Sequence, residues 1–296
     1  MLRNTVRRVG LLPSSTILPP PSHLSQTSAQ IFKVVAGRHI AYDAGYALQS
    51  SLQTDVQASC PPSLVLLEHQ PVYTLGRRAD VHSFKFKTNN KTSEVLQRGA
   101  KIASPSLIGV GNSTQKFHEQ FLTNNNINNN TDNNAAPILK HPTNSADLIR
   151  TTRGGDITYH GPGQLTAYPI LPLSLAPFKK DLHWYLSKVE DVVIRSLRRW
   201  GLEGERDPRG TGVWVGGKKV AQVGIGCSQW ITQHGFAINV TNETKPYFAE
   251  IVPCGIDESV GSVTTLEDLI SEDVTVDEVA EEVVRSFEAE FGVTIE

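Results

Sequence analysis

Residues Arg153 to Gln164 combine a glycine-rich backbone with side chains that can bind or react. Four glycines and one proline occur among these twelve residues, in the order RGGDITYHGPGQ. Glycine costs backbone entropy in regular structure and proline removes a donor, so neither a helix nor a central strand is expected here. The segment instead predicts a tight loop whose bare N–H groups approach a ligand closely. Its polar and charged side chains add to the prediction of a binding site: Arg153, Thr158, Tyr159, His160 and Gln164.

Cys254 is the candidate nucleophile outside this loop. It lies between Pro253 and Gly255, a pattern that predicts a turn and places the sulfur on a loop. A single cysteine is more often a small buried hydrophobe, so an inert structural role is the alternative from spacing alone. Cys60 and Cys227 lack this context and are predicted to be structural.

A nucleophilic thiol needs a base or a cation that holds it as the thiolate. Lys219 is one candidate because it directly precedes an apolar, alternating strand. The alternative is a solvent-exposed lysine beside a Gly-Gly turn, which is the usual fate of lysine. His160 and His234 are rival bases. Their spacing from each other and from the cysteines is not that of metal ligands, so no metal site is predicted.

Composition narrows the class of protein. The 296 residues carry a formal net charge of −2, with 39% hydrophobic and 20% charged residues. Apolar runs stay shorter than the roughly 18 residues that a membrane-spanning helix needs. The near-neutral charge gives no basis for predicting nucleic-acid binding. Three cysteines without a CxxC pair favour neither a disulfide framework nor structural zinc.

Two segments differ in composition from the rest of the chain. Residues 1–30 contain three arginines, several serines and no acidic residue, which predicts a disordered mitochondrial transit peptide. Accidental composition of a terminus is the alternative. The second segment, at about 81–147, has an asparagine-rich centre that cannot bury enough apolar surface to fold, and we predict a low-complexity insert. The folded domain would then comprise residues 31–296, interrupted by this insert.

Hydrophobic periodicity predicts mixed strands and helices, and their order predicts an α/β or α+β domain with one main sheet. The predicted strands lie at 31–36, 63–67, 72–75, 167–173, 212–215, 219–223 and 236–240, and the predicted helices at 41–52, 182–200 and 276–291.

Turn and cap residues refine these bounds. The second helix is expected to end at Gly201, and Gly216-Gly217 predicts a hairpin turn. The run from Thr275 to Glu278 has the pattern of a capping box that opens the C-terminal helix, which is expected to end at Gly292.

Several blocks of this sequence, in the same order, resemble the lipoyl(octanoyl) transferases. The run from Arg153 to Gln164, followed by Tyr168, resembles the family signature Arg-Gly-Gly-x-x-Thr-Tyr-His-Gly-Pro-Gly-Gln. The resemblance covers roughly residues 34–80 and 148–290. The other blocks are Glu68–Gly76, Lys219-Val220-Ala221 with Gly224 leading into His234–Val240, and Pro253-Cys254-Gly255.

The resemblance implies a mixed β-sheet flanked by helices, a transferase fold shared with biotin protein ligases and lipoate ligases. It also implies an acyltransferase that begins protein lipoylation, which the predicted transit peptide would place in the mitochondrion. An octanoyl or lipoyl group would pass from acyl carrier protein to Cys254 as a thioester. It would then pass to the acceptor lysine of lipoyl domains of 2-oxoacid dehydrogenases or of the glycine-cleavage H protein. No cofactor, nucleic acid or membrane is implied as a partner.

The resemblance also assigns roles to individual residues. Lys219 would hold the Cys254 thiol as thiolate and shuttle its proton, and the two histidines would belong to the acyl pocket. The implied pocket residues are Arg153, Gly154, Gly155, Asp156, Ile157, Thr158, Tyr159, His160, Gln222, Val223, Gly224, Gly235, Phe236 and Ala237.

Two other functions stay open from the sequence. An ATP-dependent lipoate or biotin ligase would share the fold and an active-site lysine, but it would not need a nucleophilic cysteine. A non-catalytic acyl-binding scaffold would keep the pocket without the chemistry. The presence of both Lys219 and Cys254 favours the transferase.

Overall fold

The computed structural model describes residues 30–31, 33–79, 139–141, 144–252 and 262–295. The helices in these ranges are α1 (Tyr42–Gln57), α2 (Leu182–Leu197), α3 (Lys245–Phe248), α4 (Leu266–Ile270) and α5 (Val276–Phe291), with 3-10 turns at Arg198–Trp200 and Asn242–Thr244. The strands are β1 (Gln30–Ile31), β2 (Lys33–Ile40), β3 (Ser63–His69), β4 (Val72–Leu75), β5 (Leu139–Lys140), β6 (Asp147–Arg150), β7 (Ile157–His160), β8 (Gln164–Ile170), β9 (Glu205–Asp207), β10 (Gly210–Val215), β11 (Lys218–Ser228), β12 (Ile231–Asn239) and β13 (Thr294–Ile295).

A seven-stranded mixed sheet forms the centre of the fold, in the order β2-β3-β8-β12-β11-β10-β9. Strands β2 and β3 are parallel, whereas their neighbours pair antiparallel. Alternate residues of β3 point to opposite faces, as the two-residue period of a strand requires. Leu64 and Leu66 join the core formed with α2 and α5, whereas Val65 and Leu67 pack with α1. The sheet is therefore covered by helices on both faces.

A second sheet of four strands, in the order β5-β6-β4-β7, lies apart from the first. The seven-stranded sheet is the predicted main sheet, and this smaller sheet is one that the sequence did not predict. Strands β3 and β4 are separated only by Gln70 and Pro71, yet they belong to different sheets. Tyr73 and Tyr159 from this second sheet pack with Phe248 of α3 in a core of their own.

The glycine-rich segment contains a strand that the sequence did not predict. The four residues of β7 pair antiparallel with β4, from Val72 opposite His160 to Leu75 opposite Ile157. Strand β7 is at the edge of its sheet. An edge strand accepts glycine and proline nearby more readily than a central strand does. The glycines lie on either side of the strand, and the Ile-Thr-Tyr run between them favours extended structure.

The other local predictions are confirmed with small shifts of their bounds. Helix α5 opens with the predicted capping box, in which Thr275 Oγ1 accepts from the Glu278 N–H and the Glu278 carboxylate accepts from the Thr275 N–H. Gly201 and Gly292 end their helices with φ of 69° and 64°. Gly216 and Gly217, with φ of 55° and 75°, form the hairpin turn between β10 and β11.

Several predictions fall outside the described residues. All of the predicted transit segment except Gln30, most of the low-complexity insert and Cys254 are among them. Leu139 and Lys140 are described, within the range predicted for the insert, and they pair with Leu148 and Asp147 as strand β5. No helix in the described ranges is long and apolar enough to cross a membrane.

Candidate functional site

A cavity of about 180 Å³ lies between the glycine-rich segment and strands β11 and β12. All the predicted pocket residues except Tyr159 line it, and so does Lys219. Tyr159 instead stacks on Tyr247, with ring centroids 4.3 Å apart, inside the core of the four-stranded sheet. The alternation of β7 explains this difference, because Thr158 and His160 face the cavity while Tyr159 between them faces the core.

Arg153 fastens the glycine-rich segment to β4. Its Nη2 donates to the Thr74 carbonyl oxygen at 2.6 Å, and its Nε donates to Thr74 Oγ1 at 3.2 Å. The backbones at Gly76 and Gly155 approach each other closely beside this contact. A Cβ on Gly76 would lie 2.3 Å from the Gly155 carbonyl oxygen. Gly155 itself has φ of 85°, in the left-handed region that favours glycine. Arg153 therefore lines the cavity and also holds the glycine-rich segment, which forms one wall of the cavity, against β4.

A chain of buried hydrogen bonds fixes the ring of His160. Its Nδ1 lies 2.8 Å from Gln164 Oε1, and Gln164 Nε2 donates to Asn239 Oδ1 at 2.9 Å. Because Gln164 presents its oxygen, the histidine Nδ1 carries the proton and Nε2 is left as an acceptor. Asn239 continues the chain by donating to the Thr264 carbonyl oxygen at 3.1 Å. Burial first, and then the neighbouring His69 and Arg153, hold the pKa of His160 well below its usual value.

His69 and Tyr168 form a second buried pair beside this ring. His69 Nδ1 lies 2.9 Å from the Ile40 carbonyl oxygen and its Nε2 lies 2.8 Å from the Tyr168 hydroxyl. Nδ1 must therefore donate, so that Nε2 accepts from the hydroxyl. Burial lowers the pKa of His69 to about 4. Tyr42 of α1 stacks on His160 with ring centroids 6.2 Å apart, and no motif in the sequence marks Tyr42 as a cavity residue.

His234 is held on β12 with an uncommon backbone. Its φ is 57°, and its N–H donates to Gln49 Oε1 at 2.9 Å. The ring stacks on Tyr46, and Nε2 lies 3.2 Å from Thr152 Oγ1. Burial first, followed by Arg153, lowers the pKa of His234 to about 3. With pKa values this low, His160 and His234 are uncharged near neutral pH and poorly matched to general-base catalysis there.

Lys219 brings a buried amine to the same cavity. The residue is 3% exposed, and its Nζ lies 5.3 Å from the centroid of the Trp214 ring. Its backbone N–H donates to the Ser262 carbonyl oxygen at 2.9 Å, and its carbonyl accepts from the Thr264 N–H at 2.9 Å. The expectation of a solvent-exposed lysine applies instead to Lys218, which is exposed.

The cavity also holds polar groups that find no hydrogen-bond partner in the part of the protein that the structure describes. Gln222, on β11, lies opposite Ala237, and Ala237 lies opposite Thr166, so one face of the sheet presents these residues in a row. Among the described residues, both amide atoms of the buried Gln222 lack a hydrogen-bond partner, as does Thr158 Oγ1. A buried unsatisfied group costs about 1–3 kcal/mol, which suggests that a ligand carbonyl or amide supplies the partner.

We expect Gln222→Leu to raise the free energy of unfolding by about 1 kcal/mol while weakening ligand binding, because leucine removes an unsatisfied amide of similar size. Urea unfolding followed by circular dichroism measures the change. Gln164→Leu is the matched control: its amide bonds to His160, Tyr159 and Asn239, so the same substitution should destabilise. Equal destabilisation in both variants would show that Gln222 already has partners in the free protein.

The geometry suits an uncharged chain with a reactive polar end. Neutral histidine and tyrosine rings line part of the cavity, together with apolar side chains such as Ile225 and Phe236. Lys219, Gln222 and the backbone of the glycine-rich segment supply charge and hydrogen-bonding groups. Among the described residues, no cluster of three or more histidine, cysteine or acidic side chains could hold a metal ion.

Comparison with known proteins identifies the class of domain and then the family. Residues 127–288 match the family described as lipoyl protein ligase A/B catalytic domain. An octanoyltransferase of Gloeobacter violaceus is 38% identical over 236 residues, which cover 80% of this chain and 78% of that protein. An octanoyltransferase of Nostoc sp. is 36% identical over 257 residues, covering 86% and 89%. This chain therefore belongs to the octanoyltransferase family and is an acyltransferase.

A plant relative extends the comparison. A chloroplastic octanoyltransferase of Arabidopsis thaliana is 34% identical over 261 residues, covering 86% of this chain and 73% of that protein. The relatives thus include both bacterial and organellar octanoyltransferases.

Solved structures confirm the predicted fold. A lipoate-protein ligase A bound with ATP superposes with a TM-score of 0.57 at 14% identity, covering 90% of this chain and 88% of that one. A bipartite lipoate protein ligase of Thermoplasma acidophilum gives a TM-score of 0.57 at 14% identity, covering 90% and 86%. At such low identity the likeness concerns the fold alone.

Proposed function

We propose that this protein transfers an octanoyl group from acyl carrier protein to a lysine of a lipoyl domain, through a thioester on Cys254. The observation that carries the proposal is the buried amine of Lys219 in a cavity that combines neutral rings and apolar side chains with hydrogen-bonding groups of the glycine-rich segment. An ammonium beside a thiol lowers the pKa of that thiol and favours the nucleophilic thiolate. Lys219 would have this effect on Cys254.

The chain connectivity supports Cys254 as the source of that thiolate. Ser262 follows directly on the segment 253–261, which contains Cys254, and the Ser262 carbonyl oxygen accepts a hydrogen bond from the Lys219 N–H. The described chain thus resumes next to Lys219, eight residues beyond Cys254 in the sequence. The other cysteines have no such connection: Cys60 is exposed, and burial raises the pKa of the Cys227 thiol.

The proposed reaction has two steps that balance without a nucleotide. In the first, the Cys254 thiolate attacks the carbonyl carbon of the acyl donor. A new C–S bond forms, the old one breaks, and the departing carrier thiolate takes a proton from the Lys219 ammonium. In the second, the amine of the acceptor lysine attacks the enzyme thioester. An amide forms, the Cys254 thiolate leaves, and the proton released by the amine returns to Lys219.

The cavity accounts for the acyl specificity that we propose. The tail would lie along the neutral rings of Tyr42, His160 and Tyr168, which expose little charge to it. The carbonyl oxygen would meet the Gln222 amide and N–H groups of the glycine-rich segment, which would stabilise negative charge as the tetrahedral intermediate forms.

We expect purified protein to octanoylate an apo-lipoyl domain from octanoyl-acyl carrier protein in the absence of ATP. Intact-mass measurement of the acceptor would detect one added octanoyl group. Octanoic acid with ATP and Mg²⁺ is the comparison, and it should give no product. Transfer that occurs only with octanoic acid and ATP would make the protein a ligase, and acyl binding without either product would make it a scaffold.

The proposal also covers the cellular location of this protein and the proteins that accept its acyl group. Residues 1–30 support import into the mitochondrion, on their arginine- and serine-rich composition. Lipoyl domains of 2-oxoacid dehydrogenases and the glycine-cleavage H protein would be the acceptors there.

A further inference from the structure

Trp214 and Lys219 meet across the hairpin formed by β10 and β11. The strand register pairs the two residues, and the Lys219 Nζ lies 5.3 Å from the centroid of the Trp214 ring. Trp214 is fully buried and Lys219 is 3% exposed. A cation within about 6 Å of an aromatic centroid is attracted to the ring face, most strongly for tryptophan and where water is excluded.

The hairpin backbone is shaped for this contact. The register of β10 against β11 shifts between Val213 and Trp214, which brings Trp214 opposite Lys219. Gly212 has φ of 138°, and a Cβ there would lie 2.5 Å from Lys219 Cε and 3.3 Å from its Nζ. The lysine side chain thus occupies the space that a side chain at position 212 would fill.

The Trp214 ring has two cationic neighbours. Arg209 also lies over this ring, with its Cζ 4.4 Å from the centroid. Its charge is matched by Asp207, whose Oδ1 accepts from Arg209 Nε at 2.7 Å. Hydrogen bonds from Arg209 first, with Lys219 as a smaller contributor, lower the pKa of Asp207. Among the described residues, the other charged groups that line the cavity with Lys219 are Arg78, Arg153 and Asp156.

We propose that Trp214 is a positioning residue for Lys219, whose ring holds the amine at the cavity and favours its protonated form despite burial. This inference rests on the proposed function, in which the Lys219 ammonium pairs with the thiolate and protonates the leaving group. Desolvation disfavours a buried ammonium, and attraction to the ring offsets part of that penalty. Without the ring, the ammonium would be both less favoured and less well placed.

The contact itself can be tested in the full chain without substrate. Ring currents should shift the Hε resonances of Lys219 upfield in the NMR spectrum, with the assignment made by their loss in Lys219→Arg. The shift should disappear in Trp214→Leu and persist in Val213→Ala, which shortens the preceding residue of the same strand, a member of the main core. We also expect Trp214→Leu to lower the titration midpoint of Lys219 by about one pH unit. If the Hε resonances and the titration midpoint of Lys219 were unchanged in Trp214→Leu, the inference would be overturned.

The consequence for catalysis is measured separately, as the pH dependence of octanoyl loading. Trp214→Leu should reduce kcat by roughly tenfold with little change in KM, and should move the alkaline limb of the profile to lower pH. Val213→Ala should leave that limb in place. Trp214→Phe keeps an aromatic face and should give a kcat and an alkaline limb between those of the wild type and Trp214→Leu. It replaces Trp214→Leu in the test if the leucine variant does not fold. If the alkaline limb moved equally in Val213→Ala, Trp214 would act only through core packing, and its positioning role would be rejected.

The two failures are distinguishable. If the wild-type protein loads no octanoyl group, the proposed function fails, while the NMR signature still decides whether Trp214 holds Lys219. If loading occurs but the signature is absent, the function stands and the positioning role is rejected.

Discussion

Cys254→Ala should abolish octanoyl transfer, with a loss of roughly three orders of magnitude or more, because the substitution removes the atom that is to carry the acyl group. The wild-type protein, incubated with octanoyl-acyl carrier protein alone, should gain the mass of one octanoyl group. Hydroxylamine should remove that mass, since it cleaves thioesters. The variant should show no adduct.

Cys60→Ala is the matched control for this experiment, because Cys60 is a free and exposed thiol. It should retain both the adduct and the turnover. Full transfer by Cys254→Ala would contradict the thioester mechanism, and a requirement for ATP in that variant would favour the ligase alternative.

Lys219→Ala should keep the thiol but reduce the transfer rate by about 10²–10⁴-fold, the range expected when a general acid–base group is lost. Without a neighbouring cation the thiolate is less favoured, so the pH at which Cys254 reacts should shift upward. The measurement is the rate of octanoyl loading across a range of pH, with the adduct located by peptide mapping.

Lys218→Ala provides the comparison for Lys219, because Lys218 is the adjacent lysine on β11 and is exposed. Its rate and pH profile should match those of the wild type. His160→Ala should weaken acyl binding without moving the pH profile, since the low pKa of His160 keeps it uncharged. If the profile moved with His160 and not with Lys219, the proton-transfer role would belong to the histidine.

The sequence alone was sufficient to predict features whose geometry depends only on residues close together in the chain. The capping box of α5 needs only Thr275 and Glu278, three residues apart, and the ends of helices at Gly201 and Gly292 need only a residue that tolerates positive φ. The same holds for the Gly216-Gly217 hairpin turn. The blocks that resemble the octanoyltransferases likewise identified the family from the sequence alone.

Only the tertiary structure decided how distant segments pair. Strands β3 and β4 follow each other in sequence but separate into two sheets, because β4 pairs with β6 and β7 rather than with its neighbour. Hydrophobic periodicity indicates that a strand exists and not which strand it joins. For the same reason, β7 was not predicted within its glycine-rich surroundings.

The pocket shows the same division between sequence and tertiary structure. The sequence indicated most of the cavity residues, but it could not assign Tyr159 to the core, because the face of a residue depends on the pairing of its strand. His69 and Tyr168 are 99 residues apart along the chain and share a hydrogen bond, and Tyr42 enters from a helix that carries no motif. The sequence thus determined the chemical groups, whereas long-range packing determined their neighbours, their burial and hence the charge that each carries.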